Sequence, residues 1–231
     1  MTTFLKTFAD RRQLHTEVEA LRAFGEERAV RVLEVRLEER AIILERVRPG
    51  MTLASIASED EAMRIVAELL SAGWPPVPAD SVATPLADVA SALNGAEFAR
   101  AKALRSELLA DSVQPVLLHG DLHYDNILTS DRAGHLLIDP KGFIGDPAFD
   151  IGYLVGRPMP SARDALPLSE AIERRLAFLP DATRLDAQRV ASFAYVAAAL
   201  SVAWAREDHD PAVDEFLESM RVLERRLSLG S

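Results

Sequence analysis

The segment 115–142 sets two apolar, strand-like runs, PVLL and HLLI, among an unusual density of charged and amide side chains. Between NIL and the second run, the residues TSDRAG contain the Ser, Asp and Gly that are typical of a hairpin turn. If the turn is centred between Arg132 and Ala133, antiparallel pairing places Asn126 opposite Asp139. The sequence therefore predicts a hairpin that brings an amide and a carboxylate together at its open end.

Asp121 lies just upstream of this pair, in a loop that follows the strand predicted at 116–118. Two carboxylates and an amide oxygen suit a hard cation such as Mg²⁺. The spacing from Asp121 to Asn126 matches the catalytic loop of protein kinases, whose Asp accepts the proton of the substrate hydroxyl and whose Asn holds metal. Asp139 fits the later Asp that completes such a metal site. The pattern indicates phosphoryl transfer to a hydroxyl.

A possible counterpart lies near the start of the chain. The alternation in TFLKTF predicts a strand with Phe4, Lys6 and Phe8 on one face, and residues 10–25 have the apolar stripe of a helix. Glu17 flanks that stripe. A partly buried lysine and a carboxylate turned toward the core could satisfy each other, although both residue types are most often solvated.

The remaining pattern divides the chain into two unequal parts. Two more strands are predicted in RAVRVLEVRL and RAIILERV, and helices are predicted from Thr52 to about Ala110 and from about Leu168 onward. We expect an α+β fold. A small sheet lobe, residues 1–48, would be followed by a larger, mainly helical lobe, residues 49–231, which carries the loop with Asp121.

Composition excludes several other classes of protein. With 231 residues and 48% hydrophobic content, the chain can bury a substantial core. The 26 basic and 36 acidic residues give a net charge of −10, and no basic block suits nucleic acid. A negative surface suits a cationic ligand, but an ordinary acidic cytosolic protein has the same charge, and that second interpretation is favoured. The absence of cysteine rules out disulfides, thiolate nucleophiles and cysteine-bound zinc. No signal peptide is visible, and the apolar run from Val190 is shorter than the roughly 20 residues that cross a bilayer, so a cytoplasmic protein without membrane contact is expected.

With these residues in view, the chain resembles the aminoglycoside phosphotransferase family, a bilobal relative of the protein kinases. HGDLHYDNIL is similar to the family's catalytic loop. IDPKGFIGDPAFDIG and ILERVRPGMTL resemble the metal-binding segment and the connection between lobes in the branch of streptomycin 6-kinases and hydroxyurea phosphotransferases. AALSVAWAREDHD is similar to that branch's C-terminal helices. The resemblance runs from about Lys6 to about Asp208 and implies a protein-kinase-like fold.

The resemblance also implies an activity and a set of roles. The chain would transfer the γ-phosphoryl group of ATP to a hydroxyl of a cationic small molecule, an aminoglycoside such as streptomycin, and so confer antibiotic resistance. Asp121 would be the catalytic base or would orient the hydroxyl. Asn126 and Asp139 would hold Mg²⁺. A monomer or a dimer is expected.

The first lobe would supply the contacts with nucleotide. By the same resemblance, Lys6 would contact the ATP phosphates and Glu17 would orient it, while the backbone from Glu45 to Val47 would meet the adenine. Lys141 could also contact phosphate. Kinase-like folds place a glycine-rich hairpin before the lysine strand, but the first glycine here is Gly25, so the small lobe is expected to be truncated.

That departure motivates a second hypothesis, a catalytically impaired remnant that binds a cationic ligand or a partner protein. A third hypothesis is a metal-dependent hydrolase, because HGDLH places His119, Asp121 and His123 on one face of an extended segment. For His119, a structural role in hydrogen bonding is favoured over the role of a base. Asp150 could be a helix cap or a site residue.

Acidic residues near the C-terminus could meet guanidinium or ammonium groups of such a substrate. They are Glu207, Asp208 and Asp210. A solvated helix end is the interpretation that residue statistics favour for them.

Overall fold

The architecture is taken from a computed structural model, which describes residues 3–56, 58–89, 93–111, 113–158 and 166–229. The strands are β1 (Thr3–Thr7), β2 (Val32–Arg36), β3 (Ala41–Glu45), β4 (Pro49–Thr52), β5 (Thr84–Pro85), β6 (Val116–Leu118), β7 (Ile127–Ser130), β8 (Gly134–Leu137) and β9 (Phe143–Gly145). The helices are α1 (Arg11–Phe24), α2 (Leu53–Ile56), α3 (Glu59–Leu69), α4 (Leu86–Val89), α5 (Ala99–Ala110), α6 (Ala148–Gly156), α7 (Leu168–Thr183), α8 (Ala187–Glu207) and α9 (Val213–Leu229).

The small lobe is a three-stranded antiparallel sheet in the order β1-β3-β2, accompanied by α1. The Asp10 carboxylate caps α1 by accepting the amide of Arg12 at 3.1 Å, and the helix ends at Gly25, whose φ of 82° suits a residue without Cβ. The apolar stripe predicted for this helix is buried: Leu14, Val18, Leu21 and Phe24. Burial of this stripe fixes which face α1 turns toward the core, and therefore where Glu17 points.

The central hairpin forms, but its predicted register is wrong by one residue. Ser130 pairs with Gly134, so the loop has three residues and the turn is centred on Arg132. Asn126 consequently lies opposite Ile138, whose amide donates to the Asn126 carbonyl at 3.0 Å, and not opposite Asp139. A loop of three residues is possible because Gly134 adopts a φ of 72°, the left-handed conformation with which three-residue hairpin loops often end.

The two lobes share backbone hydrogen bonds. The Val30 amide donates to the Leu137 carbonyl at 3.0 Å, and the Leu137 amide donates to the Arg28 carbonyl at 2.8 Å. Strand β4 joins a second sheet, β4-β7-β8, and a third sheet has the order β5-β9-β6. The hairpin that precedes Asp139 is therefore bound by main-chain hydrogen bonds to the small lobe.

Helix α8 forms the centre of the large lobe and packs against α5, α6, α7 and α9. It is buried on most faces because its sequence alternates alanine with larger apolar residues. The closest approach is to α6, where a Cβ on Gly152 would lie 2.6 Å from the Ala194 amide nitrogen. No helix in the described part of the chain is long and apolar enough to span a membrane.

A buried ion pair connects this helical core to the loop that carries Asp121. The Arg175 side chain, 1% exposed, donates to both carboxylate oxygens of Glu59 at 2.7 and 3.0 Å. The Tyr124 hydroxyl, which lies between Asp121 and Asn126 in sequence, donates to Glu59 at 3.0 Å. Arg175 also donates to the carbonyls that end α6: Leu154, Val155 and Arg157. Helices α3, α6 and α7 therefore meet beneath the loop.

Candidate active site

Asp150 supports the loop that leads to Asp121. It is fully buried in α6, and its carboxylate accepts three hydrogen bonds at 2.8 Å, from the His119 amide, the Gly120 amide and the Trp74 indole. Burial raises the pKa of Asp150 to about 6, although these donors favour the ionised form. Asp150 is thus neither an exposed helix cap nor a residue of the cavity. It fixes the backbone at His119 and Gly120 by accepting their amides.

His119 has a structural role. Its Nε2 lies 2.9 Å from the Ile138 carbonyl, and its Nδ1 accepts the Asp121 amide at 3.2 Å, so the neutral ring donates from Nε2. Burial lowers its pKa to about 4. Because both ring nitrogens are engaged, His119 cannot act as a base or as a zinc ligand. The hydrolase hypothesis loses one of its three proposed ligands.

The Asp121 carboxylate has a lysine and a histidine beside it. His123 Nε2 and Lys141 Nζ are each 3.8 Å from one of its oxygens. Burial alone would raise the pKa of Asp121, but the interactions with these two side chains act in the opposite direction and leave it below its ordinary value. Asp121 is therefore ionised at neutral pH and can accept a hydrogen bond from a hydroxyl.

Lys6 connects three of the residues selected from sequence. Its Nζ lies 2.7 Å from Glu17 Oε2 and 3.1 Å from Asp139 Oδ1. Burial raises the pKa of Glu17, and the neighbouring Lys6 charge partly opposes that rise. The lysine thus links α1 of the small lobe to the segment that follows β8. The expected ion pair between Lys6 and Glu17 is present.

Asn126 and Asp139 have oxygens suited to a cation. The Asn126 Nδ2 donates to the Asp121 carbonyl at 2.9 Å, which leaves the amide oxygen as the group that it can offer. Asp139 has a φ of 55° and a side chain 44% exposed. No cluster of three or more His, Cys, Asp or Glu side chains suited to a metal occurs among the described residues. A Mg²⁺ ion held by one carboxylate, one amide oxygen and phosphates needs no such cluster, so the donor set fits.

A cavity of about 340 Å³ opens between the lobes and includes the predicted adenine segment. Its lining comprises Phe4, Val30, Leu44, Glu45, Arg46, Val47, Pro49, Gly50, Leu128, Ile138 and Asp139. The Glu45 amide donates to the Arg31 carbonyl at 3.0 Å, and its carboxylate binds Arg132 and the Arg31 amide. Through its amide and its carboxylate, Glu45 stabilises the connection between lobes.

A second cavity, of about 310 Å³, includes Asp121 in its wall. Its lining comprises Gly120, Asp121, Lys141, Phe143, Tyr153, Arg157, Ser201, Trp204, Ala205, Asp208, Asp210 and Phe216. Asp208 and Asp210 belong to this wall and are exposed, as a solvated helix end would be, while Glu207 is not part of the lining.

Sequence reasoning missed Tyr153, Arg157, Trp204 and Phe216 as residues of this cavity. One signal could have found part of it. Three residues of α8 and the residue that caps its C-terminus recur at intervals of three and four and so share one helix face: Ser201, Trp204, Ala205 and Asp208. The aromatic and arginine residues of α6 and α9 give no such local signal.

Comparison with known proteins agrees with this geometry. The family profile of aminoglycoside/hydroxyurea antibiotic resistance kinases matches residues 2–209. A streptomycin 6-kinase of Streptomyces glaucescens is 30% identical over 225 residues, which cover 91% of this chain and 73% of the relative.

Two solved structures share the fold. A choline/ethanolamine kinase family protein from Mesorhizobium loti superposes with a TM-score of 0.67 at 15% identity, covering 98% of this chain and 84% of that one. An aminoglycoside phosphotransferase from Streptomyces rimosus, in complex with ADP and streptomycin, has a TM-score of 0.60 at 20% identity and covers 86% of each chain. The expected protein-kinase-like fold is confirmed. The chain belongs to the aminoglycoside/hydroxyurea antibiotic resistance kinase family and is a small-molecule phosphotransferase.

Proposed function

We propose that this protein transfers the γ-phosphoryl group of ATP to a hydroxyl of a cationic aminoglycoside such as streptomycin. The observation that carries the proposal is the position of Asp139 and Asp121 on two neighbouring cavities. Asp139, which pairs with Lys6, lines the cavity between the lobes, and Asp121 lines the second cavity. A phosphoryl group leaving a nucleotide in the first cavity would meet a hydroxyl held in the second.

On the acceptor side, the ionised Asp121 carboxylate would orient the attacking hydroxyl and receive its proton as the new bond to phosphorus forms. The carboxylate is held in place through the backbone, because Asp150 binds the amides of His119 and Gly120. Orientation of this kind places the reacting oxygen in line with the phosphoryl group without any covalent intermediate.

On the nucleotide side, Lys6 would contact the phosphates and Glu17 would orient it. The backbone from Glu45 to Val47 would meet the adenine. Lys141 lies 3.8 Å from Asp121 and would place a positive charge beside the transferred group. Asn126 and Asp139 would hold Mg²⁺, which when bound would neutralise charge on the phosphates.

The acceptor cavity suits a cationic ligand. Asp208 and Asp210 contribute negative charge, and Trp204 and Phe216 offer aromatic faces on which a guanidinium can stack. The net charge of −10 favours approach of a cation over long distances. Streptomycin carries guanidinium groups, and the relative of similar sequence is named for its phosphorylation.

Two measurements test the proposal. Titration calorimetry of Mg-ATP into the wild-type chain should show binding that Asp139→Ala loses and that Asp88→Asn, a change on exposed α4, retains. A coupled assay with streptomycin should then show turnover that Asp121→Asn abolishes while its unfolding curve stays like that of the wild type. Absence of nucleotide binding, or unchanged turnover by Asp121→Asn, would refute these roles. Nucleotide binding without transfer to any aminoglycoside would favour the binding-only alternative.

A further inference from the structure

Arg157 forms a preorganised cationic wall of the acceptor cavity. Its guanidinium carbon lies 4.8 Å from the Phe216 ring centroid and 5.5 Å from that of Tyr153, and its Nη1 donates to the Tyr153 hydroxyl at 3.3 Å. The Arg157 carbonyl is bound by Arg175 at 2.5 Å. Both the backbone and the side chain are thus held by contacts outside any ligand, so the guanidinium is oriented in advance.

This guanidinium has no acidic partner within salt-bridge distance in the described ranges 3–56, 58–89, 93–111, 113–158 and 166–229. The contrast with Arg175 is direct, because that side chain is neutralised by Glu59. Arg157 uses one donor on Tyr153, whereas a guanidinium has five N–H donors in a planar fork. Its remaining donors can bind oxygen atoms of a ligand in the same cavity.

The cavity lining therefore carries charges of both signs. Asp208 and Asp210 contribute carboxylates, and Arg157 contributes a guanidinium. The guanidinium lies near the reacting position, because Tyr153, which holds Arg157, also interacts with Asp121 through its hydroxyl. An ammonium group placed there would meet an oriented like charge, whereas hydroxyl, ether or carbonyl oxygens would meet hydrogen-bond donors.

We propose that Arg157 is a specificity-determining residue that selects acceptors with an uncharged, oxygen-rich face beside the reacting hydroxyl and with cationic groups that can meet Asp208 and Asp210. The inference rests on the proposed function, because it assumes that aminoglycosides occupy this cavity. It deepens that function by naming which aminoglycosides fit. Streptomycin, whose charged groups are concentrated on part of the molecule, is favoured over kanamycin, whose rings carry ammonium groups among their hydroxyls.

Binding can be measured without turnover, because Trp204 lines the cavity and its fluorescence should change when a ligand binds. The Trp204→Phe variant gives the background from Trp74, the second tryptophan. We expect the wild type to bind streptomycin at least tenfold more tightly than kanamycin. Arg157→Gln should reduce this ratio about tenfold, and Arg157→Lys should keep it within threefold. Arg64→Gln, on the exposed face of α3, should leave it unchanged.

Arg157→Met provides a second test that keeps the apolar contact with both rings, so that failure of the glutamine variant to fold does not decide the question. An unchanged ratio in a folded Arg157→Gln or Arg157→Met protein would overturn the inference, as would a wild type that binds neither aminoglycoside. If the wild type binds with the expected ratio but transfers no phosphate, the proposed function fails and this inference stands. If the wild type transfers phosphate but the binding ratio does not change when Arg157 is replaced, the proposed function stands and this inference fails.

Discussion

Removing Arg175 should destabilise the fold far more than removing its neighbour Arg174. The Arg175→Met change leaves the Glu59 carboxylate, which is 5% exposed, without its cationic partner. It also removes the donor from three carbonyls at the end of α6. Breaking a buried ion pair on one side costs about 3–5 kcal/mol, since the remaining charge stays out of water. For a chain of this length, that corresponds to a fall in melting temperature of roughly 6–20 °C.

Arg174 gives a matched control. It lies one position earlier on α7 but is exposed, with Glu170 at 2.9 Å and Asp60 at 3.6 Å. Arg174→Met should therefore leave the unfolding curve essentially unchanged, because exposed ion pairs are screened by solvent. Thermal and denaturant unfolding of both variants, followed by circular dichroism, would measure the difference.

The double variant Glu59→Leu/Arg175→Met isolates the charge effect. With both charges removed, no uncompensated ion remains, and we expect about half of the lost stability to return. The rest stays lost because Tyr124 and the α6 carbonyls still lack their partners. If the double variant is as unstable as the sum of the two single variants, or if Arg175→Met costs less than about 1 kcal/mol, the reasoning about the buried pair is refuted.

Three further predictions concern the loop and the segment after it. Asp150→Asn should lower the free energy of unfolding by about 2–4 kcal/mol and reduce kcat, because an amide replaces a carboxylate that accepts three N–H donors; equal kcat in the folded variant would contradict its positioning role. His119, neutral in the fold with a pKa near 4 against an ordinary 6.5, should stabilise fully above pH 6.5 and lose about 3 kcal/mol of that contribution as pH falls toward 4. Unfolding measured across that range should show a flatter slope for His119→Gln, and identical slopes would be evidence against the assignment. Gly142→Ala should cost more stability than Gly134→Ala and should weaken ATP binding, since both glycines have positive φ but only at Gly142 would a Cβ lie 2.5 Å from the Thr16 carbonyl oxygen. Equal losses in the two alanine variants, measured by denaturant unfolding and calorimetry, would show that this close contact is unimportant.

The parts of the site that sequence predicts are those set by local patterns. The spacing of Asp121 and Asn126 depends on one short loop, and the facing of Lys6 and Glu17 follows from strand alternation and the apolar stripe of α1. Even for this local hairpin, the predicted register was wrong by one residue. Turn residues indicate that a hairpin forms, but the conformation of Gly134 decides how many residues its loop contains.

The wall of the acceptor cavity could not be predicted from sequence, because it forms where helices that are distant in sequence pack together. Arg157, at the end of α6, and Phe216, from α9, lie 59 positions apart in sequence. They meet because both helices pack against α8. The pair of Glu59 and Arg175, 116 positions apart, is hidden for the same reason. Charged residues in helices usually face solvent, so no local rule marks these two as buried.

The contact between Gly142 and Thr16 also bears on how the protein is controlled. Protein kinases regulate themselves by moving the helix whose glutamate pairs with the nucleotide lysine. Here the helix that carries Glu17 touches the backbone after Asp139 so closely that not even a methyl group fits between them. A helix held in this way has little room to swing out as an off-switch.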